Sequence, residues 1–275
     1  MVRLRRLELP RVLPHSDLNA ARLPVPPQPH FLKIFTHAIT KGYVLCKINN
    51  IFNVFEKRIM NLFDNIEWEI SKNLIEYDFA ISKMEKRVLE IKKKSAKELV
   101  WLLEHKSIYT AGTSAKKEDL KNDEVEVRFT GRGGQWTWHG PGQRVVYLML
   151  NLKHRKQDVK AYVNALEELI IMTLRDFSIK GKRIENKPGV WVKNKNNGYD
   201  KIGALGVRIS SWISFHGISI NVNPNLEVFK EIVPCGVTDG GITSLHKLGQ
   251  TVSLEQIDSS LKANFEKIFG YKGFF

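Results

Sequence analysis

Cysteine is scarce in this chain: two of its 275 residues, Cys46 and Cys235, stand far apart. Two distant cysteines make no disulfide framework, so a reducing, cytoplasmic setting is expected. No apolar run approaches the roughly 20 residues that span a bilayer, and the N-terminus lacks the hydrophobic segment of a signal peptide. There is no CxxC pair and no HExxH, and the eight histidines are scattered, so no metal site is expected. GxSxG is absent, which argues against a serine hydrolase. Neither a Walker A loop nor a dinucleotide fingerprint is present, so ATP and NAD are unsupported. Acidic residues are also short: 29 Asp and Glu against 43 Lys and Arg leave a net charge of +14. That balance favours an acidic partner, whether nucleic acid, an anionic membrane or a protein. A lysine-rich proteome background is the plainer reading.

Apolar residues are plentiful, at 43%, so a packed core is expected. Residues 1–64 read as an atypical N-terminal extension, basic and proline-rich at its start. Pro24, Pro26, Pro27 and Pro29 resist regular structure there. A disordered tail or a misassigned start is favoured over a targeting tail. From about Ile66 the pattern sharpens into a domain over 65–275. Leu74, Ile75, Phe79, Met84, Val88 and Ile91 recur at helical spacing, as do Val159, Tyr162, Leu166 and Ile170, and again Leu254, Ile257, Leu261 and Phe265. "KELVWLLEH" and "RVVYLMLNL" read as buried strands, "EVEVRFT" as a strand with one wet face, and residues 190–222 as short strands with glycine turns. Helices alternating with runs of strands give a mixed α/β or α+β class.

The densest signal is "GRGGQWTWHGPGQ", residues 131–143, with five glycines in thirteen positions between two predicted strands. Glycines permit close backbone approach to a ligand. Arg132 offers a rigid donor fork for an anion, and His139 can donate, accept or titrate. Trp136 and Trp138 supply apolar walls. A tight hairpin with surface aromatics is the plainer alternative. Lys201 opens "KIGALGVRI": it either caps a strand edge or faces a pocket where its ammonium would stabilise a thiolate. Cys235, in "PCG", reads as a nucleophile at a turn or as a small buried hydrophobe. His216, in "SFHG", is an alternative base or a satisfied polar residue. Residues 180–201 concentrate Lys180, Lys182, Arg183, Lys187, Lys193, Lys195 and Lys201 against Glu185 and Asp200, with Trp191 and Tyr199 among them, a pattern that suits single-stranded nucleic acid. No recognised nucleic-acid module accompanies it.

Together and in this order, "VWLLEHKSIYTAG", "GRGGQWTWHGPGQ", "KIGALGVRI" and "PCG" resemble the octanoyltransferases of protein lipoylation, over roughly residues 67–275. The resemblance implies a mixed sheet with flanking helices, like the biotin and lipoate protein ligase catalytic domain. It implies octanoyl transfer from octanoyl-acyl carrier protein to a specific lysine of a lipoyl domain. The acceptors would be 2-oxoacid dehydrogenase complexes and the glycine cleavage H protein. No cofactor, no metal and no stable nucleic-acid partner are implied, and a monomer is expected. Cys235 is implied to carry the acyl thioester and Lys201 to lower its pKa. The substrate site is implied to comprise Arg132, Gly133, Gly134, Gln135, Trp136, Thr137, Trp138 and His139, then Ala204, Leu205 and Gly206, then Gly217, Ile218 and Ser219. His216 is a supporting candidate. Leu205, Ile218 or Trp138 would line a tunnel for the acyl chain. The family often has Arg-Gly-Cys ahead of SFHG, where this chain has "SSWISFHG". An ATP-dependent lipoate or biotin ligase is the runner-up, and a basic nucleic-acid-binding module the non-enzymatic alternative.

Overall fold

The computed structural model describes residues 65–233 and 240–271, so Cys46, Cys235 and the whole extension to residue 64 lie outside the described residues. The apolar runs are strands because they are buried on both faces of one sheet. In β2 (Glu98–Leu103) Val100 and Leu102 face one core while Leu99, Trp101 and Leu103 face another; β6 (Gln143–Met149) divides its residues in the same way. Helices α2 (Val159–Asp176) and α3 (Leu254–Glu266) cover the first face, and α1 (Tyr77–Lys92) covers the second. Asp158 accepts from Ala161 N to start α2, and a Ser253–Gln256 capping box starts α3. Two buried ion pairs pin the layers: Arg155 to Glu98 at 2.7 Å and Arg144 to Asp258 at 2.8 Å.

The main sheet runs β1-β2-β6-β10-β9-β8-β7, where β1 is Ile66–Ile70, β7 Lys182–Ile184, β8 Lys187–Lys193, β9 Tyr199–Ser210 and β10 Ile213–Asn221. Only β1 pairs with its neighbour in parallel along this path. A second sheet holds β3 (Ile108–Ala111) between β4 (Val127–Phe129) and β5 (Trp136–His139). The mixed architecture with flanking helices is therefore as expected.

Several local expectations need correction. The glycine-rich stretch does not lie wholly between strands: Trp136–His139 within it form β5 and Gln143 opens β6. The wet-face reading of "EVEVRFT" fails at Phe129, which is 83% exposed at the open edge of the small sheet. Leu74 and Phe79 fit the helical period, yet both are exposed. The buried stripe of α1 is Tyr77, Ala80, Met84, Val88 and Ile91. Strands β1, β3 and β7 and the two-residue β11 (Gly241–Ile242) are too short to have been legible.

Two backbone irregularities place the site. Between β8 and β9 the register slips: Val190 pairs with Gly203 but Trp191 pairs with Lys201, so Ile202 is extra. Ile202, Leu205, Val207 and Ile209 all meet the α2 core. Plain alternation back from Leu205 would turn Lys201 into that core as well. The bulge instead puts Lys201 on the opposite face, with Ala204 and Gly206. In β10, His216 has φ +60, which swings its ring away from the side of Ser214 and Ile218 to stack on Phe215 at 5.1 Å. Such a backbone costs a non-glycine residue about 1–3 kcal/mol.

The β9–β10 hairpin turns on Ser211 and Trp212, both with positive φ (52 and 66). This is the mirror-image two-residue turn that favours Asn-Gly. Ser211→Asn should stabilise the domain by about 0.5–1 kcal/mol, seen as a higher urea midpoint at unchanged slope.

Candidate active site

The glycine-rich segment is laid across β9. Gly133 N donates to Val207 O at 3.1 Å, and Gly112 N, Thr113 N and Ser114 N donate to Gln135 O, Arg132 O and Gly134 O. Gly112 has no room for a side chain: a Cβ there would lie 2.7 Å from Arg132 Nη1 and closer still to Gly134 O. Arg132 is thereby folded inward. Its Nη2 donates to Thr110 O at 2.9 Å, Thr110 Oγ1 at 2.7 Å and Gln135 O at 2.9 Å; Nη1 donates to Gly133 O at 3.1 Å.

Below this loop lies a partly open cleft of about 40 Å³, room for a water molecule or two at ~30 Å³ each. Its lining gathers Arg132, Gly134, Gln135, Trp136, Thr137 and His139 with Ala204, Leu205, Gly206, His216, Gly217, Ile218 and Ser219. Three separated sequence motifs therefore converge. Two predicted residues stand off the lining. Gly133 is occupied with β9, and Trp138 packs edge-on against Phe229 while its Nε1 donates to Ser107 Oγ. The Ile218 side chain belongs to the α2 core and Leu205 packs against it. Of the three expected liners of an acyl site, Leu205 and Ile218 border the cleft and Trp138 does not.

Sequence reasoning missed Tyr77 and Tyr147, which also line the cleft, and the role of His105. The three rings His105, His139 and His216 cluster around these tyrosines. His105 Nδ1–H donates to Ile75 O at 2.8 Å, leaving Nε2 to accept from the Tyr147 hydroxyl at 2.7 Å. His139 stacks on Tyr77 with centroids 6.2 Å apart, and its Nδ1–H donates to Gln143 Oε1 at 2.6 Å. Gln143 Nε2 donates in turn to Asn221 Oδ1, and Asn221 Nδ2 to Thr243 O, both at 3.0 Å. This chain of amides links the cleft histidine to the segment that follows Cys235. Burial pushes all three histidines down: His105 to about 4, His139 to about 3 with help from His105, and His216 to about 3 with help from Arg132 and Arg208. They are neutral and weakly basic at neutral pH.

Lys201 is buried at 4% exposure, with its Nζ 5.1 Å from the Trp191 ring centroid and close to Gly189. It is not a strand-edge cap, since β9 starts two residues earlier. Strand β11 pairs directly with Lys201 through Ile242, and Thr243 N donates to Lys201 O at 2.9 Å. The chain that resumes at Gly240 is therefore stitched to Lys201. Among the described residues no cluster of His, Cys, Asp and Glu suits a metal ion, and no helix is long and apolar enough to cross a membrane.

A two-faced sheet with this cleft defines a class. The chain matches the lipoyl protein ligase A/B catalytic domain over residues 76–266 and belongs to that family. Within it, the chain belongs with the octanoyltransferases. It is 54% identical over 214 residues to that of Bartonella quintana, covering 74% of this chain and 87% of the relative. It is 53% identical over 210 residues to that of Bradyrhizobium sp., covering 74% and 88%. A bipartite archaeal lipoate protein ligase from Thermoplasma acidophilum shares the fold at a TM-score of 0.55 and 14% identity, over 73% of this chain and 82% of that one. An ATP-bound lipoate-protein ligase A shares it at 0.54 and 11%, over 74% and 85%.

The buried histidines destabilise the fold as the pH falls, against Asp258, whose burial raises its pKa to about 6 and so favours the fold over the same range. Each histidine has a folded pKa below its unfolded value near 6.5, so between those values the unfolded chain binds the extra proton. Their contribution to stability is full above about pH 6.5 and falls as the pH drops towards 4. Between pH 7 and 5 the loss should be on the order of 2 kcal/mol per histidine, measured by urea unfolding. His105→Gln should lose less over the same interval.

Proposed function

We propose that this chain transfers an octanoyl group from a carrier-protein thioester to a lysine of a lipoyl domain, through a thioester on Cys235. Membership of the octanoyltransferases supports the reaction. The observation that carries the residue roles is the pairing of β11, just past Cys235, with buried Lys201. Cys235 starts as a thiolate beside the Lys201 ammonium, which favours the charged sulfur. The thiolate attacks the octanoyl carbonyl, and the carrier thiolate leaves with the Lys201 proton. The incoming lysine amine then attacks the Cys235 thioester and gives its proton to the neutral Lys201. Cys235 departs as thiolate, and the starting charges are restored. The thioester is already activated, so no nucleotide is consumed. His139 and His216, held neutral with pKa values of about 3, are poor proton acceptors, which leaves that role to Lys201. The positive charge of Arg132 beside the cleft suits the developing oxyanion of the substrate's carbonyl end.

Mass spectrometry after brief incubation with octanoyl-carrier protein should find one octanoyl group on Cys235. Cys235→Ser should lose the adduct and turnover, while Cys46→Ser keeps both. ATP with free octanoate should give no adduct. Lys201→Ala should slow thioester formation by roughly 10²-fold or more and shift iodoacetamide labelling of Cys235 to higher pH. Raising the pH should rescue the first half-reaction better than the second. An adduct on Cys46, or labelling unchanged in a folded Lys201→Ala protein, would overturn the assignment.

The catalytic domain is proposed to begin near residue 65. A protein starting at Asn65 should fold and transfer octanoyl at a rate close to that of the full chain. Insolubility or inactivity would place residues 1–64 within the catalytic fold.

A further inference from the structure

The basic stretch around residues 180–201 has a place in the sheet that the cleft does not use. Lys182 on the outermost strand β7 pairs with Trp191, and Trp191 pairs with Lys201; in the next row Lys193 pairs with Tyr199. Directly paired residues share a face. Lys182, Lys193 and Tyr199 therefore stand on the same face as Lys201. Lys182 Nζ sits 3.8 Å from the Tyr199 ring centroid. Lys182, Lys193 and Lys195 are exposed, and none has a carboxylate within ion-pair distance among the described residues. Lys83, Lys106 and Lys230 are paired with carboxylates, whereas, among the described residues, Lys92, Lys93 and Lys160 are not, so what sets the ridge apart is its alignment with Tyr199 and Lys201. Lysines also guard sheet edges against strand addition, but that role needs no aromatic in register and no alignment with a buried lysine.

We infer that this ridge of Lys182, Lys193, Lys195 and Tyr199 is the docking surface for the acyl donor's carrier, an acidic protein whose acyl group hangs on a flexible arm. The inference rests on the proposed function. The Lys193–Tyr199 row lies two residues from Lys201 along β9, about 7 Å. An arm can cross that gap from a carrier seated at the sheet edge. The acceptor's lysine side chain is short, so the acceptor has to sit over the cleft mouth itself. Single-stranded nucleic acid fits less well, because base stacking needs an open aromatic face and Lys182 caps Tyr199. Unpaired lysines attract an acidic partner from a distance and lose that pull as salt rises.

The test is Lys182→Glu, Lys193→Glu and Lys195→Glu combined in the full chain, against a charge-matched control carrying Lys92→Glu, Lys93→Glu and Lys160→Glu. Transfer is measured with octanoyl-carrier protein and with octanoyl-pantetheine, which has the thioester but no protein. The ridge variant should raise KM for the carrier roughly tenfold or more, with kcat/KM for octanoyl-pantetheine and KM for the lipoyl domain within twofold of the parent. The control should leave all three unchanged, and added salt should narrow the gap between parent and variant. An unchanged KM for the carrier would overturn the inference. A raised KM for the lipoyl domain alone would reassign the ridge to the acceptor, and single-stranded DNA binding lost with the ridge while carrier kinetics stand would reassign it to nucleic acid. If the parent accepts octanoyl from neither donor, the proposed function fails. Calorimetric binding of the carrier then decides the ridge on its own, equal affinity in parent and variant overturning it.

Discussion

The site depends on one extra residue in a strand. Lys201 has to leave the α2 core while its strand neighbours stay in it, and a strict period of two cannot do both. The slip at Ile202 resolves the conflict, because Ile202 keeps its contact with the core while Lys201 turns to the face of Ala204 and Gly206. The cost is a local break in the ladder between β8 and β9. The gain is a cation held at 4% exposure against the Trp191 ring instead of among aliphatic side chains, where burial of a charge is far more costly.

The sheet then acts as a divider. Its α2 and α3 face carries the larger apolar core, with the Arg144–Asp258 ion pair buried beside it. Its other face is shared between the smaller α1 core and the polar cleft. β10 crosses that boundary, with Phe215 in the α1 core and His216 in the cleft. The left-handed backbone at His216 allows two consecutive rings to lie together there. The small sheet closes the cleft from above through backbone bonds, with glycine at positions 112 and 133 where one chain lies on another. Strain and close approach thus collect around the cleft, as functional sites tend to collect them.

Much of this was legible in the sequence, for reasons that can be stated residue by residue. Doubly buried strands such as β2 and β6 announce themselves as unbroken apolar runs. α1, α2 and α3 announce themselves by period. The cleft residues from Arg132 to His139, and the patches at Ala204 and Gly217, were legible as motifs in a known order. What periodicity cannot encode is a register slip, so the face of Lys201 was open between an edge cap and a pocket. Nor does it reveal partners distant in sequence. Tyr77 lay outside the residues whose period marked α1, Tyr147 read as strand core, and His105 as a strand end, although "LEH" sat inside a quoted motif. Phe129 and Phe79 matched their patterns and are exposed all the same, because a pattern records period and not which neighbours finally arrive.

The electrostatics of the cleft follow from the same packing. No carboxylate lines it among the described residues. Arg132 donates to carbonyl and hydroxyl oxygens, and its charge, with that of Arg208, helps hold His216 neutral. A low-dielectric space with fixed positive charge and neutral imidazoles disfavours any further cation and favours an anion. Both charged species of thioester exchange, the attacking thiolate and the tetrahedral oxyanion, are anions. An adenylate-forming site must instead accommodate a polyphosphate with its metal ion. The positive charge of Arg132 and Arg208 beside the cleft suits the smaller anions of thioester exchange.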